Sequence, residues 1–188
     1  MSSIAEYMGP VARRLLNAWS ALPKRDLVPD RQSFDPMAIA GILPVVSLVE
    51  RAGEEQWRFR LAGTELDRRW GRPLTGADYF TVVSAEAAAV VRREFAGIVE
   101  QPCGSWSIRC IEYESGRRVG MEALRLPLRA RDGRLGLILS CSGDLSGRSA
   151  GLTERPRMIV RVTRQRFIDV GAGLPSDNAL GATAQAGG

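Results

Sequence analysis

Three tight-turn signals constrain the fold of this 188-residue chain more than any other feature of its sequence. They lie at residues 53–55 (Gly-Glu-Glu), 115–116 (Ser-Gly) and 132–133 (Asp-Gly), and each separates two segments rich in apolar, mostly β-branched or alternating residues. Such turns join neighbouring antiparallel strands, and Asp-Gly is among the strongest hairpin signals. The sequence therefore predicts antiparallel strands at residues 44–50, 57–61, 105–114, 118–130 and 135–142.

Helix signals fall between the second and third of these strands. Thr64 is predicted to cap a short helix that ends at Gly71, and Ser84 to cap a longer helix that reaches about Glu100. Two strands, a run of helices and three more strands indicate an α+β domain: a five-stranded antiparallel sheet with helices on one face. Residues 157–170 have the pattern of an additional C-terminal strand.

An apolar heptad pattern runs through the N-terminal segment, which is predicted to be helical. The helix either packs on its own sheet and leaves a monomer, or it dimerises. The pattern carries more apolar surface than the docking of one short helix needs, so we expect a homodimer whose N-terminal helix contributes to the interface. The heptad positions are Ile4, Met8, Val11, Leu15, Ala18 and Leu22, and Leu16 and Trp19 widen the stripe.

The chain contains no histidine, which excludes Ser-His-Asp and Cys-His catalytic sites, His-ligated zinc and haem, and phospho-acceptor histidines. Neither a Walker lysine motif nor a Gly-rich dinucleotide motif is present. We therefore expect no enzymatic activity. The remaining function classes are binding, sensing and interaction.

The formal charge of +5 is local, because residues 155–166 contain five arginines and no acidic residue. The arginines of this segment alternate imperfectly with its apolar residues, so the pattern predicts no single basic face. We expect a strand face or a partner-docking surface here, and nucleic-acid binding is the alternative. A second arginine motif, Arg125-x-x-x-Arg129 before Asp144-x-Ser146, is similar to the cyclic-dinucleotide motif of PilZ domains. Ser149 replaces the required glycine, so we interpret the match as chance.

Three widely separated cysteines, Cys103, Cys110 and Cys141, indicate reduced and mostly buried thiols in a cytoplasmic protein. We expect no redox role for them, because no histidine is available to lower a thiol pKa. The longest apolar run, at residues 41–49, is far shorter than the ~20 residues of a membrane-spanning helix.

A set of short motifs follows this order of elements along the chain. They are Phe-Asp-Pro at 34–36, Ile-Leu-Pro at 42–44, Arg-Phe-Arg-Leu-Ala-Gly-Thr at 58–64, Gly-Arg-Pro-Leu-Thr-Gly at 71–76, Leu-Pro-Leu at 126–128 and the segment 167–175. Together with Trp19 they resemble the single-domain PAS proteins of alphaproteobacteria, over residues 15–175 or so. The resemblance implies a PAS fold and a small bacterial cytoplasmic sensor or adaptor, without an attached catalytic domain, that signals through a protein partner.

The resemblance also implies a ligand cavity between the sheet and the helices, although the ligand itself is unknown. Photochemical flavin binding in PAS domains needs an Asn-Cys-Arg-Phe context and haem binding usually needs an axial histidine, and the sequence has neither. The cavity would hold a small organic molecule. The alternative is that the same side chains fill the core. The candidate lining residues are Trp70, Tyr79, Phe80, Trp106, Ile108, Cys110 and Met121.

The sequence thus divides into four segments. Residues 1–25 form an N-terminal helical extension, 26–148 the PAS domain, 149–175 a basic C-terminal extension and 176–188 a flexible tail. Two functions stay open at this stage. The first is a PAS sensory or regulatory protein that acts through protein contacts, and the second is a nucleic-acid-associated regulator that uses residues 155–166.

Overall fold

A six-stranded antiparallel sheet organises the computed structural model, which describes residues 4, 6–145 and 154–175. Its strand order is β4-β3-β7-β6-β5-β8, so that β4 and β8 are the edges. The predicted tail at 176–188 lies outside the described residues. The strands of this sheet are β3 (Val46–Arg51), β4 (Trp57–Ala62), β5 (Cys103–Tyr113), β6 (Arg118–Arg129), β7 (Leu135–Asp144) and β8 (Pro156–Asp169).

Three α-helices and a small hairpin complete the part of the fold that the structure describes. The helices are α1 (Pro10–Ser20), α2 (Thr64–Trp70) and α3 (Ala85–Glu100). The hairpin consists of β1 (Lys24–Arg25) and β2 (Val28–Pro29), and 3₁₀ turns cover Arg31–Ser33, Pro36–Val45 and Tyr79–Val82. Among the described residues, no helix is long and apolar enough to cross a membrane.

The hairpins and most helix ends follow the sequence signals, but the predicted cap of α2 is wrong, because Thr64 is the first helical residue and Gly63 occupies the cap position without a side-chain hydrogen bond. Gly116 and Gly133 adopt positive φ at the two predicted turns, as glycine allows. Helix α2 ends at Gly71, whose φ of +63° is left-handed, and α3 begins after Ser84, whose hydroxyl accepts a hydrogen bond from the Ala87 amide at 3.2 Å. The predicted additional strand is present as β8, which extends the sheet from five strands to six.

Helices cover both faces of the sheet, and each face has its own apolar core. We call the face toward α3 the inner face and the face toward α1 the outer face. Along β5 the side chains alternate, so that Arg109 and Ile111 belong to the inner face while Trp106 belongs to the outer face. The two faces therefore take alternate residues of the same strands.

The N-terminal helix folds back on its own sheet. Leu15 and Trp19 are 0% and 1% exposed against the outer face, and the Trp19 indole N–H donates a hydrogen bond of 2.8 Å to the Pro127 carbonyl. We expected this stripe to have more apolar surface than its own domain buries. That expectation is wrong, because the stripe packs against the outer-face leucines of β6 and β7. Homodimerisation stays a prediction without that argument.

We expected residues 155–166 to present no single basic face. Strand β8 differs from that expectation, because three of its arginines share one face. Irregularities in the β5–β8 register leave Val160 and Thr163 without a partner in β5. Each such bulge replaces the two-residue period of a strand locally by a spacing of three. Arg161, Arg164 and Arg166 consequently lie opposite the outer-face residues of β5, namely Cys110, Ile108 and Trp106, and all three arginines are exposed.

Candidate functional site

A cavity of about 50 Å³ lies between the inner face of the sheet and the helical layer. Strands supply its floor, while α2 and the turn at Tyr79–Val82 supply its wall. The lining is mixed, because polar and charged side chains stand beside aromatic and aliphatic ones. The lining residues are Ser47, Phe59, Leu66, Arg69, Trp70, Leu74, Tyr79, Val82, Arg109, Ile111, Met121, Ala123, Arg125, Ser140, Ser142 and Ile159.

Four fully buried polar side chains form one network at the cavity, which we call the arginine cluster: Tyr79, Glu94, Arg109 and Arg125. Arg109 pairs with one carboxylate oxygen of Glu94, and Arg125 Nη1 contacts the other at 3.3 Å. Both guanidinium groups also donate to the Tyr79 hydroxyl, at 2.8 Å from Arg109 and 3.0 Å from Arg125. The two arginines therefore share one carboxylate and one phenol.

Two neighbouring serines add hydrogen bonds to the cluster. Ser105 donates to Glu94 at 2.7 Å, and the Ser107 hydroxyl lies 3.3 Å from Arg109 Nε and 3.4 Å from Arg125 Nη1. These contacts hold the carboxylate and both guanidinium planes in fixed orientations, as is typical of buried ion pairs that are tolerated.

The secondary structure explains why these residues meet. Arg109 on β5 and Arg125 on β6 share the inner face, flanking the paired residues Ser107 and Ala123. Glu94 lies on the buried stripe of α3 one turn after Val91, so that the helix carries its carboxylate down onto the sheet. The arginine cluster thus joins α3 to the two central strands through buried charges.

The charges of the arginine cluster do not balance while Tyr79 is neutral. Two guanidinium groups, which stay protonated in proteins, face the single carboxylate of Glu94. Burial by itself raises the pKa of Glu94, but Arg125 and Arg109 outweigh it and hold that pKa below its ordinary value. The same competition between burial and the two arginines lowers the pKa of Tyr79.

Some buried polar atoms at the site, two donors on nitrogen and one acceptor oxygen, have no partner among the described residues. Arg125 Nε is buried and unpaired, and so are both amide atoms of Gln165, which lies opposite Ser107 in the β5–β8 register. Buried polar atoms are almost always hydrogen-bonded in folded proteins. Arg125 also lines the cavity, so an unpaired donor lies at the edge of the site.

Arg69 extends the basic lining toward the cavity wall. It lies at the end of α2, and its Nη1 atom lies 3.3 Å from the Ser142 hydroxyl on β7. Burial lowers the pKa of Arg69, and Tyr113, Glu65 and Asp144 counteract the effect. Arg69 therefore has acidic neighbours of its own, unlike the surplus guanidinium of the arginine cluster.

Three of the predicted lining residues, Trp70, Tyr79 and Met121, do line the cavity. Phe80 does not, because it packs at the edge of the inner core, where its ring contacts Tyr79 and Arg92 stacks on it at 3.9 Å. Its predicted place in the lining is wrong.

Trp106, Ile108 and Cys110 are also wrongly placed by the sequence prediction, because all three belong to the outer face. Trp106 is buried in the outer core and donates to Glu122 at 2.6 Å, and Ile108 packs at the margin of that core. Cys110 is half-buried beside Arg118 and Arg161. A shift of one residue in the assumed phase of β5 moves every side chain to the opposite face.

Sequence reasoning missed Glu94 and Arg109, and it considered Arg125 only within the PilZ-like motif. A signal for Glu94 is present, since it interrupts the apolar stripe of α3 at a position that must be buried. The sequence around Arg109 and Arg125 gives no comparable indication of burial. Alternate residues of a strand point to opposite faces, and the pattern here does not show which face is toward the core.

The cysteines lie in three separate environments, and all are free thiols. Burial raises the pKa values of Cys103 and Cys141 to about 12, which makes both thiols poor nucleophiles. Among the described residues, no group of three or more cysteine, aspartate or glutamate side chains is placed to hold a metal ion.

An antiparallel sheet with helices on both faces and a small cavity on one of them defines an α+β domain. Comparison with family models makes the assignment specific, because the PAS domain model matches residues 8–142. The chain therefore belongs to the PAS domain family, which confirms the predicted fold.

Among solved structures, the chain is similar to one described as "Structure of an RNA-binding Light-Oxygen-Voltage Receptor", with 13% sequence identity and a TM-score of 0.45. The match covers 68% of this chain and 36% of that one, so the chain spans about a third of the receptor. A comparison with curated proteins finds no match. The alphaproteobacterial source stays a prediction.

Proposed function

We propose that this PAS domain is a cytoplasmic sensory or regulatory module that binds a small organic ligand in its cavity and signals through protein contacts. The proposal includes no catalytic step. The three free thiols support a reducing location such as the cytoplasm.

The arginine cluster is the observation that carries the proposal. Replacing a buried ion-pair network by apolar residues is often neutral or stabilising, so such a network contributes little to the stability of a core. Here it borders a cavity and leaves Arg125 Nε unpaired. A ligand that pairs with the cluster would offset the free energy that burial of its charges costs.

The same network gives a ligand a route to the rest of the domain. Glu94 connects the cavity to α3, while Arg109 and Ser107 connect it to β5, the neighbour of edge strand β8. A ligand that repositions the guanidinium groups therefore acts on a helix and on the edge of the sheet together. A protein partner that contacts either element would sense its presence.

Native mass spectrometry of freshly purified protein tests this proposal. We expect a population heavier than the chain by the mass of one small molecule, which disappears under denaturing conditions. The variant Arg109→Met should lose that population while retaining its circular dichroism spectrum. A chain of unmodified mass, together with no change in unfolding temperature across a library of metabolites, would contradict the proposal.

A specific observation supports nucleic-acid binding as a second candidate function. The exposed Arg161, Arg164 and Arg166 share the outer face of β8, and none of them forms an ion pair with a carboxylate in the described part of the chain. Such a row of guanidinium groups suits a phosphate backbone.

Binding to single-stranded RNA and to duplex DNA, measured over a range of salt concentrations, tests the second candidate. Binding should weaken steeply with salt and vanish when the three arginines are replaced by alanine. Replacing the exposed arginines Arg13, Arg58 and Arg60 removes the same charge elsewhere and should leave most of the binding intact. Equal loss in both triple variants would indicate only a net-charge effect and would exclude a site on β8.

A further inference from the structure

We infer that the cavity ligand is a small organic carboxylate, bound by the surplus guanidinium charge of the arginine cluster. The inference rests on the proposed ligand-binding function and assigns its chemical class. Arg109, Arg125 and Glu94 together leave one positive charge uncompensated in a site whose side chains are at most 3% exposed. An isolated charge in such surroundings is costly, and a bound anion removes the cost.

The unpaired donors point to an anion as well. Arg125 Nε is without a partner in the described chain, and it lies on a side chain that lines the cavity. The Tyr79 hydroxyl oxygen already accepts from both arginines, so its hydrogen is left to donate elsewhere. A carboxylate accepts from a guanidinium edge and a hydroxyl at once, whereas a neutral amine or ammonium would find too few acceptors.

The hydroxyl groups opposite the arginines add donors of the same kind. Ser140 lies directly opposite Arg125 in the β6–β7 register and opposite Ser47 in the β3–β7 register, and both serines line the cavity. Serine hydroxyls can donate to a second carboxylate oxygen without adding charge. The positive charge and these neutral donors therefore surround the same small volume.

The remaining lining favours an organic anion over an inorganic one. Phe59, Trp70 and Met121 present apolar surface to the cavity, which a short carbon chain can cover and phosphate cannot. A volume of about 50 Å³ corresponds to roughly four water molecules, so the ligand is of the size of acetate, propionate or glycolate.

The rival explanation is that Tyr79 itself supplies the missing negative charge as a tyrosinate. Because both arginines lie within hydrogen-bond distance of its oxygen, ionisation would neutralise the arginine cluster without any ligand. The two explanations differ in an observable way. A tyrosinate has a red-shifted near-ultraviolet absorbance at neutral pH, whereas a bound carboxylate leaves Tyr79 protonated.

The experiment titrates the full chain with acetate, propionate, glycolate and inorganic phosphate at constant ionic strength, using chloride as the reference and the unfolding temperature as the readout. We expect a saturable rise with at least one carboxylate, and none with phosphate. Arg125→Met should weaken binding by about ten-fold or more, because it removes a charged hydrogen-bond donor. Arg118→Met, on the outer face of the same strand, should bind like the wild type.

A second variant, Arg125→Lys, keeps the charge but loses the planar donor edge, and it should bind more weakly than the wild type even if Arg125→Met fails to fold. Carboxylate shifts no larger than those of chloride, a response to phosphate alone, or tyrosinate absorbance in the ligand-free protein would overturn the inference. Native mass spectrometry keeps the two proposals separable. A bound neutral molecule would contradict the carboxylate assignment and leave the proposed sensory function standing.

Discussion

The two faces of the sheet are built from alternate residues of the same strands, yet they differ in chemistry. On β6 the outer-face residues Leu124, Leu126 and Leu128 are completely buried and apolar. On the inner face of the same strand, Arg125 joins the arginine cluster beside a cavity. The outer face is thus packed with apolar side chains, while the inner face includes buried charges beside a cavity, which is the arrangement that the proposed ligand site requires.

Each face also contains one buried carboxylate, and the two illustrate the difference. Glu122 on the outer face accepts hydrogen bonds from neutral donors, the Trp106 indole at 2.6 Å and the Gly9 amide at 2.9 Å. Glu94 on the inner side is bound by two guanidinium groups. The outer carboxylate connects the residue before α1 to the sheet through hydrogen bonds, and the inner one partly neutralises the two guanidinium groups.

The largest expected effect comes from removing the cover of the outer face. A chain that begins at Asp26 lacks α1 and exposes the leucines beneath it. Burial of Leu15 and Trp19 alone contributes about 1.5–3 kcal/mol each, against a total stability of roughly 5–15 kcal/mol for a domain. We expect loss of cooperative unfolding and aggregation, measured by circular dichroism and light scattering. A folded monomer of the shortened chain would show that the outer face needs no cover.

The paired carboxylates provide the next test. Glu94→Gln leaves two buried guanidinium groups without a counter-charge and should destabilise the protein by about 3–5 kcal/mol. The matched substitution Glu122→Gln keeps an acceptor for neutral donors and should cost about 1 kcal/mol. Urea unfolding of both variants measures the difference. Equal losses would mean that charge is no more important on the inner face than on the outer one.

Acid should remove the contribution of Glu94 selectively. The folded-state pKa of this carboxyl lies below its ordinary value of 4.5, so the stabilisation is present above that value and is lost as pH falls through the folded pKa. The gap in unfolding free energy between wild type and Glu94→Gln should therefore be widest near neutral pH and shrink below about pH 4.5. A gap that is constant down to strongly acidic pH would mean that the pKa of Glu94 is the same in the folded and the unfolded protein.

The smallest effect concerns the part of the outer face that α1 leaves uncovered. Cys110 is half-buried there, whereas Cys103 and Cys141 are 0% and 2% exposed. A thiol reagent should modify Cys110 first in the native protein and all three cysteines after denaturation. Mass spectrometry of digested protein identifies the modified residue, and Cys110→Ser is the control. Rapid modification of Cys141 would show that α1 leaves the sheet transiently.

Local signals in the sequence accounted for much of the fold. The Asp-Gly turn at residues 132–133, the serine cap of α3 and Gly71 after α2 each specify a chain reversal or a helix end through nearby backbone atoms. The order of strands and helices follows from them, and with it the PAS fold. Trp70 and Tyr79 in the cavity followed as well, because they lie on elements whose position does not depend on strand phase.

The rest was decided by contacts between residues distant in sequence. The pairing of β5 with β6 and β8 decides which face of β5 contacts α3. The sequence of a strand that is buried on both sides does not show which of its two sets of alternate residues faces the helix. The same long-range pairing introduced the bulges that align Arg161 with Arg164, and it brought Glu94 within reach of Arg109 and Arg125. The sequence by itself determined the elements and their order, because turns and caps are local. Only the tertiary structure decided which side chains share a face and a charge.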